Sequence, residues 1–388
     1  MIAAALAAAG VTPARAQDVR IPEMRFSLPQ EIRIPEMRFS LPQDIRIPEM
    51  RFSLPHEIHI PEVRVQVPID MVLRDMTAAV RSAGGVVDEA MQNRDFRAEQ
   101  IHRETRTLAI GAAGTLELSN ITGSISVTAS GRNDASIEIV RRSRGRTDAD
   151  AKTGLDRVTA IVEHRGDRAS VRPNYPNERN SPYSVSIEYI VSAPAGATVT
   201  ISSISGGVTV KDMKGALSVR LTSGPVSVSG GGGRGEFRTI SGNITVTDVA
   251  SDATIDIGAV SGGVVLERVK ARRITAEVTS GGIVARDVTA EAATVKSISG
   301  SIDYSGPLAR GGRYELQTHS GPIRFGPTGS TGFDLQATTF SGGITPDPSL
   351  GLKTTSTSRR EVRGTVGDGG AAVILTAFSG GVTIGGKR

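Results

Sequence analysis

The chain has 388 residues, with 45 Lys and Arg against 40 Asp and Glu, a net charge of +5, 45 Gly, 19 Pro, no Cys and no Trp. The absence of Cys excludes a disulfide framework, a thiolate metal site and a cysteine nucleophile. Because the net charge is small for this length and aromatic residues are scarce, neither a nucleic-acid-binding face nor a large aromatic-lined ligand pocket is expected.

The first 16 residues have the pattern of a signal peptide. Residues 2–11 (IAAALAAAGV) form a short apolar run, and Ala14-Arg15-Ala16 is a cleavage pattern. No basic segment precedes the run, so residues 1–16 are interpreted as a truncated signal peptide, or else as an incidental Ala-rich start. No other stretch is long and apolar enough to suggest a transmembrane segment. We therefore expect export to the periplasm, the cell surface or the medium.

Residues 17–69 repeat with a period of 13 and carry regularly spaced prolines. The copies read DVRIPEMRFSLPQ, EIRIPEMRFSLPQ, DIRIPEMRFSLPH and a diverged EIHIPEVRVQVPI. Prolines alternately seven and six apart exclude a helix, which favours an extended stalk. Two alternatives remain, because Met24, Phe26 and Leu28 alternate with polar residues. These runs could be strands that self-associate or bind a partner, or they could be a folded part of the solenoid described below.

Residues 70–105 predict a helical connector. Met71, Val72 and Met76 follow helical spacing, and a second helical stretch is predicted up to about Gln100. A membrane-surface helix is the alternative, although this segment has few basic residues.

The most informative pattern is a Ser-Gly dipeptide that recurs about every 19 residues, which is typical of stacked repeats. The last gap, from Ser341 to Ser379, spans 38 residues and is interpreted as two periods with one missing mark. The serines are Ser205, Ser223, Ser241, Ser261, Ser280, Ser299, Ser320, Ser341 and Ser379.

Apolar residues flank each Ser-Gly with opposite parity. They occur six and four residues before the serine, as in Val199 and Ile201, and three and five residues after it, as in Val208 and Val210. A straight strand cannot change parity, so the dipeptide is predicted to be a corner at which the chain turns. The predicted corner glycines are Gly123, Gly206, Gly224, Gly242, Gly262, Gly281, Gly300, Gly321, Gly342 and Gly380.

The predicted fold class is all-β, a single-chain β-solenoid of about ten coils with two short strands each. Residues 198–388 form the solenoid, with coils ~4.8 Å apart and a total length on the order of 45 Å. An earlier copy at Thr122-Gly123 belongs to an N-terminal β subdomain, residues 106–197, which is predicted to cap the first coil. This subdomain contains strand-like runs and one helical candidate, residues 148–160.

Four segments and the serial Ser-Gly coils together resemble the bacterial "putative adhesin" family of β-strand repeat proteins, a domain-of-unknown-function family. The segments read LELSNITGSISVTAS, RRSRGRTDADA, VSIEYIVSAPAGATVTISSISGGVTV and GTVGDGGAAVILTAFSGGVTI. The resemblance covers about residues 106–388 and implies an exported β-solenoid. It implies no catalytic residues.

The sequence predicts no catalytic residue, no cofactor and no metal site. His56 and His59 are the only histidine pair at metal spacing, and the glycines from Gly230 to Gly235 precede a strand instead of a phosphate-binding helix. A recurring aspartate seven residues after the serine is interpreted as a solvated turn residue instead of a calcium ligand. A broken Thr row does not support ice binding.

The resulting hypothesis is a non-enzymatic, exported β-solenoid that acts in surface adhesion or as an envelope scaffold. Its partner would be a polysaccharide or a protein, and Arg220 and Arg238 are the candidate residues for an anionic partner. A carbohydrate-active β-helix enzyme and an envelope-stress signalling accessory are the alternatives. The sequence gives no oligomeric state.

Overall fold

The computed structural model describes residues 96–176 and 181–385. All of these residues lie in one compact unit, Arg64–Arg388. The unit consists of β-strands with a single α-helix among the described residues, so the predicted all-β class is confirmed. The predicted signal peptide, the stalk and residues 70–95 of the connector lie outside the described residues.

The N-terminal part contains seven strands and the helix. Their bounds are β1 Ala98–Leu108, β2 Thr115–Thr122, β3 Ile125–Ser130, β4 Ala135–Gly145, α1 Asp148–Arg157, β5 Thr159–Arg165, β6 Arg168–Asn174 and β7 Tyr183–Pro194.

The repeat region contains the other strands and a 3₁₀ turn at Pro348–Leu350. The strand bounds are β8 Thr198–Ser205, β9 Val208–Lys211, β10 Leu217–Ser223, β11 Val226–Ser229, β12 Gly235–Ser241, β13 Ile244–Thr247, β14 Thr254–Ser261, β15 Val264–Ser280, β16 Ile283–Ser299, β17 Ile302–Pro307, β18 Arg313–Ser320, β19 Ile323–Thr328, β20 Phe333–Ser341, β21 Ile344–Pro346, β22 Lys353–Thr357, β23 Glu361–Val366, β24 Ala372–Ser379 and β25 Val382–Ile384.

The strands stack in two parallel ladders, which form a nearly closed solenoid-like arrangement. Strands that end at a Ser-Gly or Thr-Gly corner, together with β6, form the first ladder, in the order β6–β2–β8–β10–β12–β14–β15–β16–β18–β24–β20. Strands that follow a corner, together with β7, form the second ladder, in the order β7–β3–β9–β11–β13–β15–β16–β17–β19–β25–β21. The strands β15 and β16 are long enough to contribute to both.

The core lies between the two ladders. In β10 the residues Leu217, Val219 and Leu221 are buried, whereas the residues between them are partly exposed. After the corner the buried residues are Val226 and Val228. Each fully buried Val, Ile or Leu stabilises the fold by about 1.5–3 kcal/mol relative to an exposed one. The apolar positions on either side of the corner therefore supply the core from both ladders.

At both ends of the stack the coils are out of chain order. The coil β2/β3 lies between β6/β7 and β8/β9. The coil β24/β25 lies between β18/β19 and β20/β21. The interpretation of the 38-residue gap as two successive periods is wrong, because the intervening residues form the hairpin β22–β23, which pairs antiparallel with β20.

The described end of the predicted helical connector is a strand, so the helix prediction is wrong for residues 98–105. The strand β1 pairs antiparallel with β4 along its whole length, from Ala98 opposite Gly145 to Leu108 opposite Ala135. Eleven residues of cross-strand pairing outweigh a weak local helical preference. The strand β4 also pairs antiparallel with β7, so the N-terminal end of the second ladder continues as an antiparallel sheet.

The helix α1 begins at a capping box. The Thr147 side chain accepts a hydrogen bond from the Asp150 backbone N–H, and the Asp150 carboxylate accepts one from the Thr147 backbone N–H. This reciprocal pair satisfies two backbone donors that a helix start otherwise leaves unpaired. The helix packs against β4 through Ala151 and Gly154, which are buried.

Candidate interaction site

The Ser-Gly corners stack directly on one another along the solenoid. At Gly206 the backbone φ is +125°, and a Cβ would lie 2.2 Å from the carbonyl oxygen of Gly123. The Gly206 N–H donates to the carbonyl of Ser223 in the next coil. Since no side chain fits between stacked corner backbones, this position requires glycine.

All ten predicted corner glycines occupy this stack. An added Cβ would lie 2.0–2.3 Å from a backbone carbonyl oxygen at each of them. The contact at Gly380 is with Gly321, and that at Gly342 is with Gly380. The corner stack thus follows the spatial order of the coils and not their order in the chain.

A second corner lies seven residues after several of the serines. Asp212, Asp248, Arg268 and Asp287 all have φ between 52° and 60°, in the left-handed region. Asp is one of the few non-glycine residues that tolerate this conformation, which explains why aspartate recurs here. The three aspartates are exposed. Within the described ranges, no group of three or more His, Asp or Glu residues could hold a metal ion.

Arg268 interrupts the aspartate column and pairs with it. Its Nε and Nη2 donate to the two Asp248 carboxylate oxygens over 2.5 and 2.9 Å. The hydrogen bond from Arg268, followed by its charge, holds the pKa of the Asp248 carboxyl below its usual value. The charges of this corner are therefore partly compensated within the protein.

The two candidate arginines, Arg220 and Arg238, lie side by side, and both are close to the carboxylate of Glu236. Arg220 is directly opposite Arg238 on the adjacent strands β10 and β12. The Glu236 carboxylate accepts a hydrogen bond from Arg220 Nη2 over 3.1 Å and lies 3.9 Å from Arg238 Nε. Shared compensation by one carboxylate weakens this pair as a site for an anionic partner.

Two adjacent rows of side chains run along the outer edge of the Ser-Gly corner, and together they are called the corner strip here. The hydroxyl row consists of exposed serines: Ser223, Ser241, Ser261, Ser280, Ser299, Ser320, Ser379 and Ser341. The neighbouring row, one residue before each serine, is mainly apolar: Ile204, Thr222, Ile240, Val260, Thr279, Ile298, His319, Phe378 and Phe340.

The corner strip ends in three stacked rings, called the aromatic stack. The His319 and Phe378 ring centroids are 4.7 Å apart with the ring planes 7° from parallel. Phe378 and Phe340 are 4.8 Å apart with an angle of 5°. Phe340 is 59% exposed and Phe378 is 47% exposed, although both are large apolar side chains. Exposed apolar patches are commonly sites of interaction, which makes the aromatic stack a candidate site.

The aromatic stack is not among the residues predicted from the sequence. The signal that indicates it is the residue before each serine, which is apolar in most coils. The contact between His319 and Phe378 depends further on the insertion of β24 beside β18, which the repeat pattern does not indicate.

The site offers hydroxyl groups, apolar side chains and aromatic rings at the spacing of β-strands. This combination is suited to binding an extended partner. Among the described residues, no helix is long and apolar enough to cross a membrane.

The fold and the corner strip define a β-solenoid repeat protein with stacked Ser-Gly corners. Residues 232–385 match the family described as Toastrack DUF4097. This match supports, for that part of the chain, the predicted resemblance to a domain-of-unknown-function family.

The comparison with solved structures found bacterial proteins to which this chain is similar. A "putative adhesin" from Bacteroides fragilis is 12% identical, with 73% of this chain and 97% of that chain covered and a TM-score of 0.39. A "putative lipid binding protein" from Parabacteroides distasonis is 14% identical, with 74% and 97% covered and a TM-score of 0.41. Identities and scores this low carry no information about a ligand. No curated protein matches the sequence significantly.

Proposed function

We propose that the protein is a non-enzymatic interaction module, exported to the cell surface or envelope, that binds an extended partner along the corner strip. The observation that supports this proposal is the continuity of the strip. Its hydroxyl row and apolar row run across successive coils and end in an exposed aromatic stack.

A repeating surface favours a repeating partner. Each coil offers one hydroxyl and one mainly apolar side chain at the ~4.8 Å spacing of adjacent strands. Single contacts of this kind are weak, but contacts on several coils of one rigid scaffold act together, because later contacts form at high effective concentration. A polysaccharide or an extended protein segment would meet this requirement.

Export and presentation complete the proposal. The predicted signal peptide, residues 1–16, would direct export, and the Pro-rich repeat, residues 17–69, would act as a spacer that holds the solenoid away from its attachment point. The proposed role needs no cofactor.

The proposal is tested by binding of the full chain to cell-wall fragments, arrayed polysaccharides and isolated surface proteins. The strip variant is Ser223→Arg with Ser241→Arg, which places two bulky charges on adjacent coils of the hydroxyl row. The control is Ser227→Arg with Thr245→Arg, which changes the outward side of the second ladder in the same two coils.

We expect the strip variant to lose binding at least about tenfold and the control to retain it, which corresponds to about 1.4 kcal/mol. Equal binding by the two variants would contradict the corner strip as the site. Failure of the unmodified chain to bind any of the three partner classes would contradict an adhesive role.

A further inference from the structure

We infer that the aromatic stack is a binding site for an uncharged polysaccharide, with one sugar ring lying on the outer face of Phe340. This inference rests on the proposed function and specifies the ligand class and the contact residue. The geometry of the aromatic stack and the polar groups beside it support this inference.

The stack leaves one ring face open. Phe378 lies between His319 and Phe340, so both of its faces are covered by rings. Phe340 is the last ring of the stack, and Phe378 covers only one of its faces. Phe340 is 59% exposed, and among the described residues no second ring stacks on its other face. A flat apolar face of this kind fits the CH face of a sugar ring.

The flanking groups are uncharged hydrogen-bonding groups. Two residues before the aromatic stack, Gln317, Thr376 and Thr338 lie opposite one another on β18, β24 and β20. On the other side of the stack, Ser379 and Ser341 are exposed. Amides and hydroxyls both donate and accept hydrogen bonds, as sugar hydroxyls do. The combination of an apolar ring face with neutral polar groups matches a neutral sugar.

Charged residues border this neutral row at both ends. Lys296 lies opposite Gln317 on β16, and Glu361, which pairs with Arg363 over 2.6 Å, lies opposite Thr338 on β23. The backbone carbonyl of Arg360 accepts a hydrogen bond from the Thr339 N–H, which brings the turn before β23 close to Phe340. Because arginines lie at this turn, an anionic polysaccharide is the competing ligand, and the experiment includes one.

A folded protein partner fits the aromatic stack less well than a polysaccharide chain does. A stable protein interface buries about 1,200–2,000 Å² in total and has a broad apolar centre. Here the apolar surface is only one side chain wide and is bordered on both sides by polar rows. This narrow shape suits one polymer chain better than a protein face.

The experiment measures binding of the full chain to soluble dextran, α-mannan and β-glucan as neutral probes and to alginate as an anionic probe. The variants are Phe340→Ala, which removes the open ring, and Phe340→Trp, which enlarges it. The control is Ile190→Ala, which shortens an apolar side chain that is 40% exposed on β7, away from the stack. Thermal unfolding of each variant shows whether the fold is retained.

We expect at least one neutral probe to bind, with a loss of about tenfold or more for Phe340→Ala, and with binding retained by Phe340→Trp and Ile190→Ala. Binding to alginate alone would overturn the inference. So would neutral binding that Phe340→Ala leaves unchanged, although the proposed function would stand in that case. Binding only to surface proteins would also overturn the inference and leave the broader proposal intact.

Discussion

Phe237 occupies the space that Gly235 leaves in the core. Gly235 stands at the position that Val199, Leu217 and Ile255 fill in neighbouring coils. A Cβ on Gly235 would lie 2.8 Å from two atoms of the Phe237 ring. The larger side chain at one inward position thus compensates for the missing side chain at the other.

This compensation predicts a strong coupling between the two positions. Gly235→Val alone should clash with the ring and cost about 1–3 kcal/mol, and Phe237→Val alone should enlarge an existing cavity of about 20 Å³. The double variant recreates the aliphatic pairs of other coils, so its loss should be smaller than the sum of the single losses by about 1–3 kcal/mol. Denaturant unfolding of the four proteins measures this coupling. Additive losses would show that the two residues do not share one space.

The corner stack predicts a sharp contrast between neighbouring positions. Gly281→Val would place its Cβ 2.2 Å from the Gly262 carbonyl oxygen, at a backbone φ of +143°. Because backbone atoms on both sides cannot move apart without breaking the ladder, we expect a loss of about 3 kcal/mol or more. The partly exposed Thr245→Val should change the free energy of unfolding by less than about 0.5 kcal/mol. Similar losses for the two variants, measured by urea unfolding, would contradict the assignment of the corner.

Two buried tyrosines should respond oppositely to loss of the hydroxyl. The Tyr314 hydroxyl donates to the Ala290 carbonyl over 2.6 Å and accepts from the Ala309 N–H over 2.8 Å. Tyr189 is fully buried, and its hydroxyl has no hydrogen-bond partner among the described residues. Tyr314→Phe should therefore cost about 1–3 kcal/mol, whereas Tyr189→Phe should be neutral or stabilising. The melting temperatures of the two variants test this prediction. A larger decrease for Tyr189→Phe than for Tyr314→Phe would contradict it.

Alkaline pH should unfold the protein through its buried tyrosines. Burial raises the pKa of Tyr189 and of Tyr304 far above the ordinary value, and it also raises the pKa of Tyr314. The unfolded chain ionises these residues near pH 10, so their contribution to stability is complete below that pH and is lost as the pH rises above it. Each fully buried tyrosine should remove up to about 1.4 kcal/mol per pH unit.

The chain has no Trp, so tyrosinate absorbance reports this transition directly. We expect a large part of the tyrosinate signal to appear together with the loss of β-structure by circular dichroism. Complete tyrosine ionisation in a protein that keeps its native circular dichroism would contradict this expectation.

The sequence predicted the corner and the core but not the arrangement of the coils. Ser-Gly and its flanking apolar residues obey a local rule, since the turn needs glycine and parity determines which side is buried. The order in which the coils stack depends instead on pairing between strands that are far apart in the chain. The serines of β20 and β24 can each pair in register with that of β18, and the repeat does not distinguish the two. The strand β1 was missed for a related reason, because its partner β4 is about 40 residues away in the chain.

The inserted C-terminal coil should be more important for stability than its position in the chain suggests. The strands β24 and β25 lie inside the two ladders, with partners on both sides. Val373 and Leu375 are buried between the coils that β24 separates. Deleting residues 371–388 would therefore remove an internal layer, whereas most terminal deletions remove only an outer one.

We expect this deletion to lower the melting temperature strongly or to abolish cooperative unfolding, and a synthetic peptide of residues 371–385 to restore part of the stability in a concentration-dependent manner. A matched control peptide carries Leu375→Asp, which places a charge at a buried position and should not restore stability. The decisive measurement is thermal unfolding of the truncated chain at increasing peptide concentration. Full stability of the truncated chain without peptide would mean that β20 pairs directly with β18, and that the inserted coil is not required to hold the end of the solenoid together.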